Sequence, residues 1–340
     1  MNKKYKGKKI TMAHGSGGKA SSDLIADIFV NTFNNEYLAI MEDQARFDMP
    51  AGRLALTTDS FVVSPLFFNG GNIGKLAITG TVNDLAVSGA KPLYLTCGLI
   101  LEEGLPIETL DKIIKSMQKT AEEAGVKVVC GDTKVVEGGS ADQIFINTAG
   151  VGVIAEGVEI HSSSACVGDK IIVNGYIGDH GATIMQSRAE LAISADIDSD
   201  CQVLNHLVQK MLSVSDNIHS LRDATRGGVA TVLNEIATDS KVCISVKEDS
   251  LPIRVPTRGV CEILGLDPLY LANEGTLVCV VKAEDADTVL EAMEQTKEGE
   301  NACIIGEVTD GPEGIVALTT LFGGTKIIDK LIGDQLPRIC

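Results

Sequence analysis

The 340-residue chain has no tryptophan, and aromatic residues make up only 4% of it. A protein so short of aromatic faces lacks the stacking platforms that hold single-stranded nucleic acid. Positive charge is also scarce: 29 Lys and Arg stand against 46 Asp and Glu, a formal net charge of −17. That balance speaks against nucleic acid and anionic membrane as partners, and any polyphosphate bound here would need local cations. No apolar run reaches the roughly 18 residues of a membrane span. The basic stretch 1–9 is not followed by an apolar segment, so no signal peptide is expected and a cytoplasmic location is. Nine cysteines occur, none closer than 18 positions to the next. Without a C-x-x-C spacing, neither a zinc site nor a local redox pair is suggested. Most of these cysteines sit in apolar or mixed stretches and read as small buried hydrophobes.

What the chain does have is length and apolar content for two domains, with 44% hydrophobic residues. The expected division is 1–155, 165–329 and a mobile tail, 330–340, with a Ser-, Gly- and acid-rich stretch at 155–168 as the boundary. The pattern of alternating strands and helices predicts an α/β (α+β) fold.

Three glycines in residues 14–18 (His14-Gly15-Ser16-Gly17-Gly18), followed by Lys19, make a loop whose N–H groups can approach an anion, though a tight turn explains them equally well. A helix is expected over 21–33. A short buried strand is expected over 54–58, ending in Asp59. A carboxylate beyond a strand's C-terminal end lies where α/β proteins collect ligands. Residues 74–87 look helical and rich in small residues, with Asn83 and Asp84 among them; a solvated helix face is the plain explanation for the acid. Leu110, Ile113, Ile114, Met117 and Ala121 recur at helical spacing over 106–124, and Gly125 caps that helix. A strand over 126–130 then leads into Gly131-Asp132-Thr133-Lys134, and 144–153 is a further strand.

In the second half, 170–173 is a strand and 175–181 a turn, in which His180 reads as a turn residue rather than a catalyst. Asp223-Ala224-Thr225-Arg226-Gly227-Gly228 opens a helix with Val229, Val232, Leu233 and Ile236 on one face. Two glycines at a helix start admit a phosphate to the N–H groups, while Asp223 could instead be a plain N-cap. Asn273-Glu274-Gly275 precedes a strand over 276–281, 283–295 is a helix, and strands follow at 304–308 and 314–318. The chain ends in Pro337-Arg338-Ile339-Cys340. Alone, that terminal thiol reads as an incidental exposed group.

Asp43, Asp59, Asp84 and Asp223 thus come from separate segments, and carboxylates of this kind hold Mg²⁺ against substrate phosphates. The motifs that carry a family likeness run in order along nearly the whole chain. They include HGSGG at 14–18, EDQAR at 42–46, TTDS at 57–60, NDLAVSGA at 83–90, GDTKVVE at 131–137, GDHGATI at 178–184, RDATRGGVA at 222–230, NEG at 273–275 and PRIC at 337–340. In these the chain resembles the HypE family of hydrogenase maturation factors, within the aminoimidazole ribonucleotide synthetase-like superfamily. The terminal PRIC sets this family apart from purine-pathway synthetases and thiamin-phosphate kinases. The absence of a cysteine before Cys97 sets it apart from selenophosphate synthetases. Two departures stand out: Glu42-Asp43-Gln44 replaces the Gly-Asp-Asp of relatives outside the family, and Thr276 stands where the family often has lysine.

The resemblance implies two domains, each a sheet with helices on one side, an N-terminal domain that binds ATP and pairs in a homodimer, and a flexible tail. It implies ATP-dependent dehydration of an S-carboxamide on Cys340 to a thiocyanate, the source of the cyanide ligands of nickel–iron hydrogenase. A carbamoyltransferase, HypF, would load Cys340, and a HypC–HypD complex would accept the cyanide. Gly15, Gly17, Gly18, Lys19, Asp59, Asn83, Asp84, Asp132, Thr133, Asp223, Thr225, Gly227 and Gly228 would contact ATP. Asp59, Asp84, Asp223 and, less directly, Asp43 would hold Mg²⁺. Glu274 is the implied base, with His14 second, and Lys134 would stabilise charge on the amide oxygen. A different ATP-dependent enzyme of the same fold, acting on a free amide or phosphate acceptor, and a nucleotide-binding scaffold are the competing readings.

Overall fold

The structure, a computed structural model, describes residues 3–41, 44–48, 50–188, 195–330 and 338–340. Asp43 and most of the tail, residues 331–337, lie outside the described residues. The expected metal role of Asp43 and the expected mobility of the tail fall there.

The N-terminal half begins with a continuous helical segment. It comprises α1 (Lys19–Leu24), a π-helical run (Ile25–Val30) and α2 (Asn31–Phe33). Strand β1 (Arg53–Phe61), a small ribbon of β2 (Phe67–Phe68) and β3 (Gly71–Asn72), and helix α3 (Ile73–Val87) follow. Then come β4 (Ala90–Glu102), α4 (Ile107–Ala124), β5 (Lys127–Val136) and β6 (Ile144–Ile154). The four long strands form one sheet in the order β1-β6-β4-β5, antiparallel except for the β4–β5 pair.

Helix α3 organises this half. Asn72 caps it by accepting from the N–H groups of Gly74 and Lys75. All of its residues except Lys75 and Asp84 are buried, because it is wedged between the four-stranded sheet, α4 and the C-terminal half. A helix buried all round has no apolar stripe for a sequence to display. Its glycines are spacing devices: a Cβ on Gly74 would stand 2.5 Å from the Ile113 carbonyl oxygen of α4.

The C-terminal half contains β7 (Lys170–Val173), α5 (Asp179–Ser187), α6 (Asn205–Leu212), β8 (Ile218–Asp223), α7 (Gly228–Ser240) and β9 (Cys243–Lys247). It continues with α8 (Val255–Leu264), β10 (Leu277–Val281), α9 (Ala286–Glu294), β11 (Cys303–Thr309), β12 (Ile315–Thr319) and β13 (Thr325–Ile328). Its seven strands run in the order β13-β12-β9-β11-β7-β10-β8. Ile171, Val173, Val278 and Val280 pack with Val229 and Leu233 of α7, whereas Ile172, Cys279 and Val281 pack with Leu207 of α6 and Val289 of α9. The second face also meets Ala86 and Val87, the end of α3. The two-domain α/β architecture is as expected, and the central strands of this sheet carry helices on both faces.

Three local expectations need correcting. Strand β1 runs past 54–58 to Phe61, so Asp59 lies within it, paired with Thr148, rather than beyond its end. The strand is also not buried on both faces: Leu54 and Leu56 are 59% and 80% exposed. Asp132, Thr133 and Lys134 likewise lie inside β5, which runs on to Val136.

Candidate active site

Paired residues of adjacent strands share a face of the sheet. Asp59 of β1 pairs with Thr148 of β6, Thr148 with Cys97 of β4, and Cys97 with Gly131 of β5. Thr148 donates its hydroxyl to the Ala77 carbonyl of α3, so this row faces α3. Asp84, on α3, accepts from the Thr57 hydroxyl of the same sheet face at 2.7 Å. The acid of α3 is therefore turned into the joint between the halves, not toward solvent.

From the other half, Asp223 ends β8 and Glu274 lies just before β10. Burial and the Asp84 charge push the Asp223 carboxyl up to about 7, with Asp59 adding to the effect. Burial raises Asp59, helped by Asp84; burial also raises Asp84, opposed by the Thr57 hydrogen bond and the Arg222 charge. Glu274 is 3% exposed, and its Oε1 has no hydrogen-bond partner. Burial pushes it well above the ordinary carboxylate range, and Asp200, Asp223, Asp59 and Asp84 all push the same way. Four buried or half-buried acids that raise one another's pKa form a site suited to a cation. Their oxygens do not close into a cage. Among the described residues, the only group with three donor atoms all within 4.8 Å of one another is Cys166, Asp169 and His219. Such an open set fits Mg²⁺, which keeps several waters and takes much of its coordination from substrate phosphates.

The chain terminus is docked in the same place. Ile339 is buried in the N-terminal core and Cys340 packs against that core. The Cys340 carboxylate accepts from Val62 N at 2.9 Å. Arg338 donates through Nε and Nη2 to the Val62 carbonyl and pairs with Asp142, while Arg188 donates to the Arg338 carbonyl at 2.8 Å. Burial pushes the Cys340 thiol up to about 12; Glu274 and Asp59 add to this and Arg226 opposes it. The terminal thiol is thus not an incidental exposed group: it is mostly buried, and two of the acids singled out from the sequence, Glu274 and Asp59, act on it.

His180, expected to be a plain turn residue, is fully buried and holds this terminus. Its Nε2 stands 2.9 Å from the Ile339 carbonyl and its Nδ1 2.8 Å from Ser199 Oγ. A carbonyl can only accept, so Nε2 carries the hydrogen and Nδ1 accepts from the serine. Burial lowers the imidazole to about 4, which keeps it neutral.

Three motifs converge through Asn273. Its Oδ1 accepts from Gly178 N at 2.7 Å, and its Nδ2 donates to the Ala224 carbonyl at 2.8 Å. Asp200 accepts from Glu274 N and Gly275 N and from the Thr276 hydroxyl, which fixes the turn that aims Glu274. Thr276 is bound to Asp200 and does not point at the acids. Gly227 and Gly228 both have positive φ. A Cβ on Gly228 would lie 2.4 Å from the Leu269 carbonyl oxygen, so only glycine lets α7 start here. Thr225 accepts from Gly228 N through its carbonyl and closes that turn.

Other sequence candidates fall elsewhere. Asn83 is buried and its side chain is taken up by the Gln202 carbonyl and Leu204 N, fastening the halves together. Gly15 and Gly17 line a cavity of about 290 Å³ with Thr133 and Lys134, near the β5 edge of the sheet. His14 accepts from Thr11 N beside it, and Lys19 is exposed after Gly18 at the start of α1. Lys134 pairs with Asp132 at 2.8 Å. By register Lys134 sits beside Ile100, which is 43% exposed, so these two charges share the outer face with Leu54 and Leu56 and turn away from Asp59.

Residues 41–154 match the N-terminal domain of the AIR synthase related proteins, and residues 167–319 match their C-terminal domain. The fold is that of this class. The chain is 50% identical over 331 residues to "Carbamoyl dehydratase HypE" of Azotobacter vinelandii, with 97% of each sequence covered. A crystal structure described as HypE in complex with ATP superposes with a TM-score of 0.93 at 47% identity, covering 97% of this chain and 99% of that one. A HypE–HypF complex contains a chain that matches with a TM-score of 0.80 at 49% identity, covering 91% and 99%. The chain belongs to the carbamoyl dehydratase HypE family.

Proposed function

We propose that this protein dehydrates an S-carboxamide on its own Cys340 to a thiocyanate, using ATP, and so supplies cyanide for the ligands of nickel–iron hydrogenase. The observation that carries this reading is the docked terminus: Cys340 packs against the N-terminal core within reach of the charges of Glu274 and Asp59, with its carboxylate held by Val62 N. Residues 1–155 would bind ATP and pair in a homodimer, 165–329 would supply Asp223 and Glu274, and 330–340 would act as the carrier arm. HypF is the proposed carbamoyl donor partner, a HypC–HypD complex the proposed acceptor, and the cytoplasm the proposed compartment.

Asp59, Asp84 and Asp223 would hold Mg²⁺, which supplies charge neutralisation between these acids and the phosphates. The Gly227-Gly228 helix start would face the phosphates with its N–H groups, and the 14–18 loop with Lys19, Asp132 and Thr133 would cover the nucleotide from the β5 edge. The carboxamide oxygen is a poor leaving group. Once it has taken up the γ-phosphoryl group it can depart as phosphate, while the amide nitrogen gives up two protons to leave a carbon–nitrogen triple bond. Glu274 is the proposed acceptor of a proton from that nitrogen. Burial and the neighbouring acids favour its protonated form, and a cation among them would favour the base. His180 and Arg338 would position the tail so that the carboxamide reaches the acids.

Lys134 is the proposed cation at the amide oxygen, and it turns away from the Cys340 of its own chain. We assign that role to the partner copy, brought in by pairing of the outer sheet faces that carry Leu54 and Leu56. An oxygen-18 label tests the chemistry. A carboxamide oxygen labelled on Cys340 is expected in inorganic phosphate after turnover with ATP. Label released to water instead would show that the oxygen is never phosphorylated.

A further inference from the structure

At the opposite end of β8 from Asp223, three unlike donors meet where the connection between the halves reaches the C-terminal sheet. Cys166 and Asp169 occupy one tight turn, with Asp169 N donating to the Cys166 carbonyl at 3.0 Å. His219 lies in β8. Lys170 of β7 and Ile218 of β8 both pair with Val281 of β10, one from each side, so the turn and the histidine share one end of the sheet. The Asp169 carboxylate spans the gap: its Oδ2 accepts from Cys166 N at 2.7 Å and lies 2.7 Å from His219 Nδ1. Its side chain is 3% exposed, and that of His219 25%. Cys166 is exposed, with its Sγ near the Ser164 carbonyl. One donor atom from each of the three residues lies within 4.8 Å of the other two.

We propose that Cys166, Asp169 and His219 form a binding site for one divalent transition-metal ion of the zinc type, with water as the fourth ligand. The donor set argues for this class. A thiolate with an imidazole suits a borderline-soft ion and is a poor host for Mg²⁺, whereas the Asp59, Asp84 and Asp223 site offers oxygens alone. Zinc–ligand bonds of about 2.0–2.3 Å put the ligand atoms of a tetrahedron closer together than the present limit, by roughly 1 Å. The exposed Cys166 side chain can rotate through that distance, while Asp169 Oδ2 and His219 Nδ1, 2.7 Å apart and sharing a proton, would open to about 3.3 Å as the imidazole gives up that proton to solvent on binding the ion. The spacing C-x-x-D with a distant histidine has no C-x-x-C signature, which is why the cysteine count alone suggested no such site. His219 also anchors the connection between the halves, since its carbonyl accepts from His161 N at 3.1 Å. Occupancy would therefore brace the start of the C-terminal domain.

Cobalt(II) is a suitable probe, titrated into the full-length protein in excess Mg²⁺ so that the oxygen site is occupied. One equivalent is expected to give a near-ultraviolet thiolate-to-cobalt band with the intense visible bands of four-coordination, both bleached by one equivalent of Zn²⁺. Cys166→Ser is expected to lose the thiolate band, and its exposed position leaves the fold intact by circular dichroism. His219→Gln is expected to weaken cobalt binding by at least the roughly tenfold lost when even an outer-shell partner is removed. Cys340→Ser is expected to keep the band. No thiolate band in the unaltered protein, a band that survives Cys166→Ser, or unchanged affinity in His219→Gln would each overturn the proposal.

Discussion

The two faces of the N-terminal sheet are made from the same strands and do opposite work. On the inner face Thr57, Asp59 and Thr148 meet α3, where Thr57 and Thr148 are hydrogen-bonded to it and burial raises the Asp59 carboxyl. On the outer face Leu54 and Leu56 are exposed on β1, and Ile100 is exposed beside the Lys134–Asp132 pair at the β5 edge. The difference is a matter of strand parity: one residue of register decides whether a side chain joins the acids or faces outward. A roster of conspicuous residues therefore splits into two groups. One lies on the side of Cys340 within a single chain, and the other, under the proposal above, would act from a second copy.

The largest effect tests the inner face. Cys340→Ser is expected to abolish thiocyanate formation while ATP binding, measured by calorimetry, persists; loss of ATP binding as well would make the tail structural. Next, Asp84→Asn or Asp223→Asn is expected to lower turnover on the order of 100-fold, the scale on which a charge-stabilising group is lost from a protected site. Steady-state phosphate release checks this, and a change of only a few-fold would remove the acids from the chemistry.

The outer face is tested by mixing. Lys134→Ala and Cys340→Ser chains, each inactive alone, are expected to regain part of the activity when combined. The mixed dimer joins an intact Cys340 to an intact Lys134 across the interface. No recovery under conditions of subunit exchange would place Lys134 in its own chain's site and break the division between faces.

A smaller effect is expected at the tail latch. His180→Gln removes a buried hydrogen bond worth about 1 kcal/mol net, so the terminus should spend more time undocked. Alkylation of Cys340, followed by mass spectrometry, should accelerate roughly fivefold, with Cys166 labelling unchanged as an internal reference. Equal rates at Cys340 in both proteins would mean that the imidazole does not hold the terminus.

The smallest effect is a pH dependence. Folded Asp223 keeps its proton up to about 7, whereas an unfolded aspartate releases it near ~3.9. Between these values the folded state binds the extra proton, so this group's contribution to stability falls as pH rises from about 4 to 7. In metal-free protein Asp223→Asn is expected to flatten that part of the profile of unfolding midpoint against pH. An unaltered slope would show that Asp223 is ordinarily acidic.

Elements with one wet face were legible in the sequence. Helix α4 declares itself by Leu110, Ile113, Ile114 and Met117, and ends at Gly125 in the left-handed conformation that its glycine permits. Asp84 could be picked out because it interrupts a small-residue segment, and the Gly227-Gly228 pair because it opens a helix, whereas Glu274 entered only through the family likeness. What could not be read was direction. Helix α3 is buried all round, so no periodicity shows that Asp84 points at Asp223. Asp59 was placed at a strand end because the polar run Thr57 to Ser60 looks like a terminus, when it is one strand with one face against α3. His180, Asn273 and Asp200 escaped notice as site residues because their partners are backbone groups of distant loops: Ile339 O, Gly178 N and Glu274 N. Such pairings arise from tertiary approach and leave no local pattern.

Cys340 first reads as a loose terminal thiol and, once docked, as the carrier of the group that the inner-face acids transform. The most direct test is the mass of the C-terminal peptide after incubation with a carbamoyl donor system, with and without ATP. If Cys340 carries the substrate, the carbamoyl adduct accumulates without ATP and loses the mass of one water when ATP is present. An adduct unchanged by ATP, or one found on another residue, would contradict that assignment.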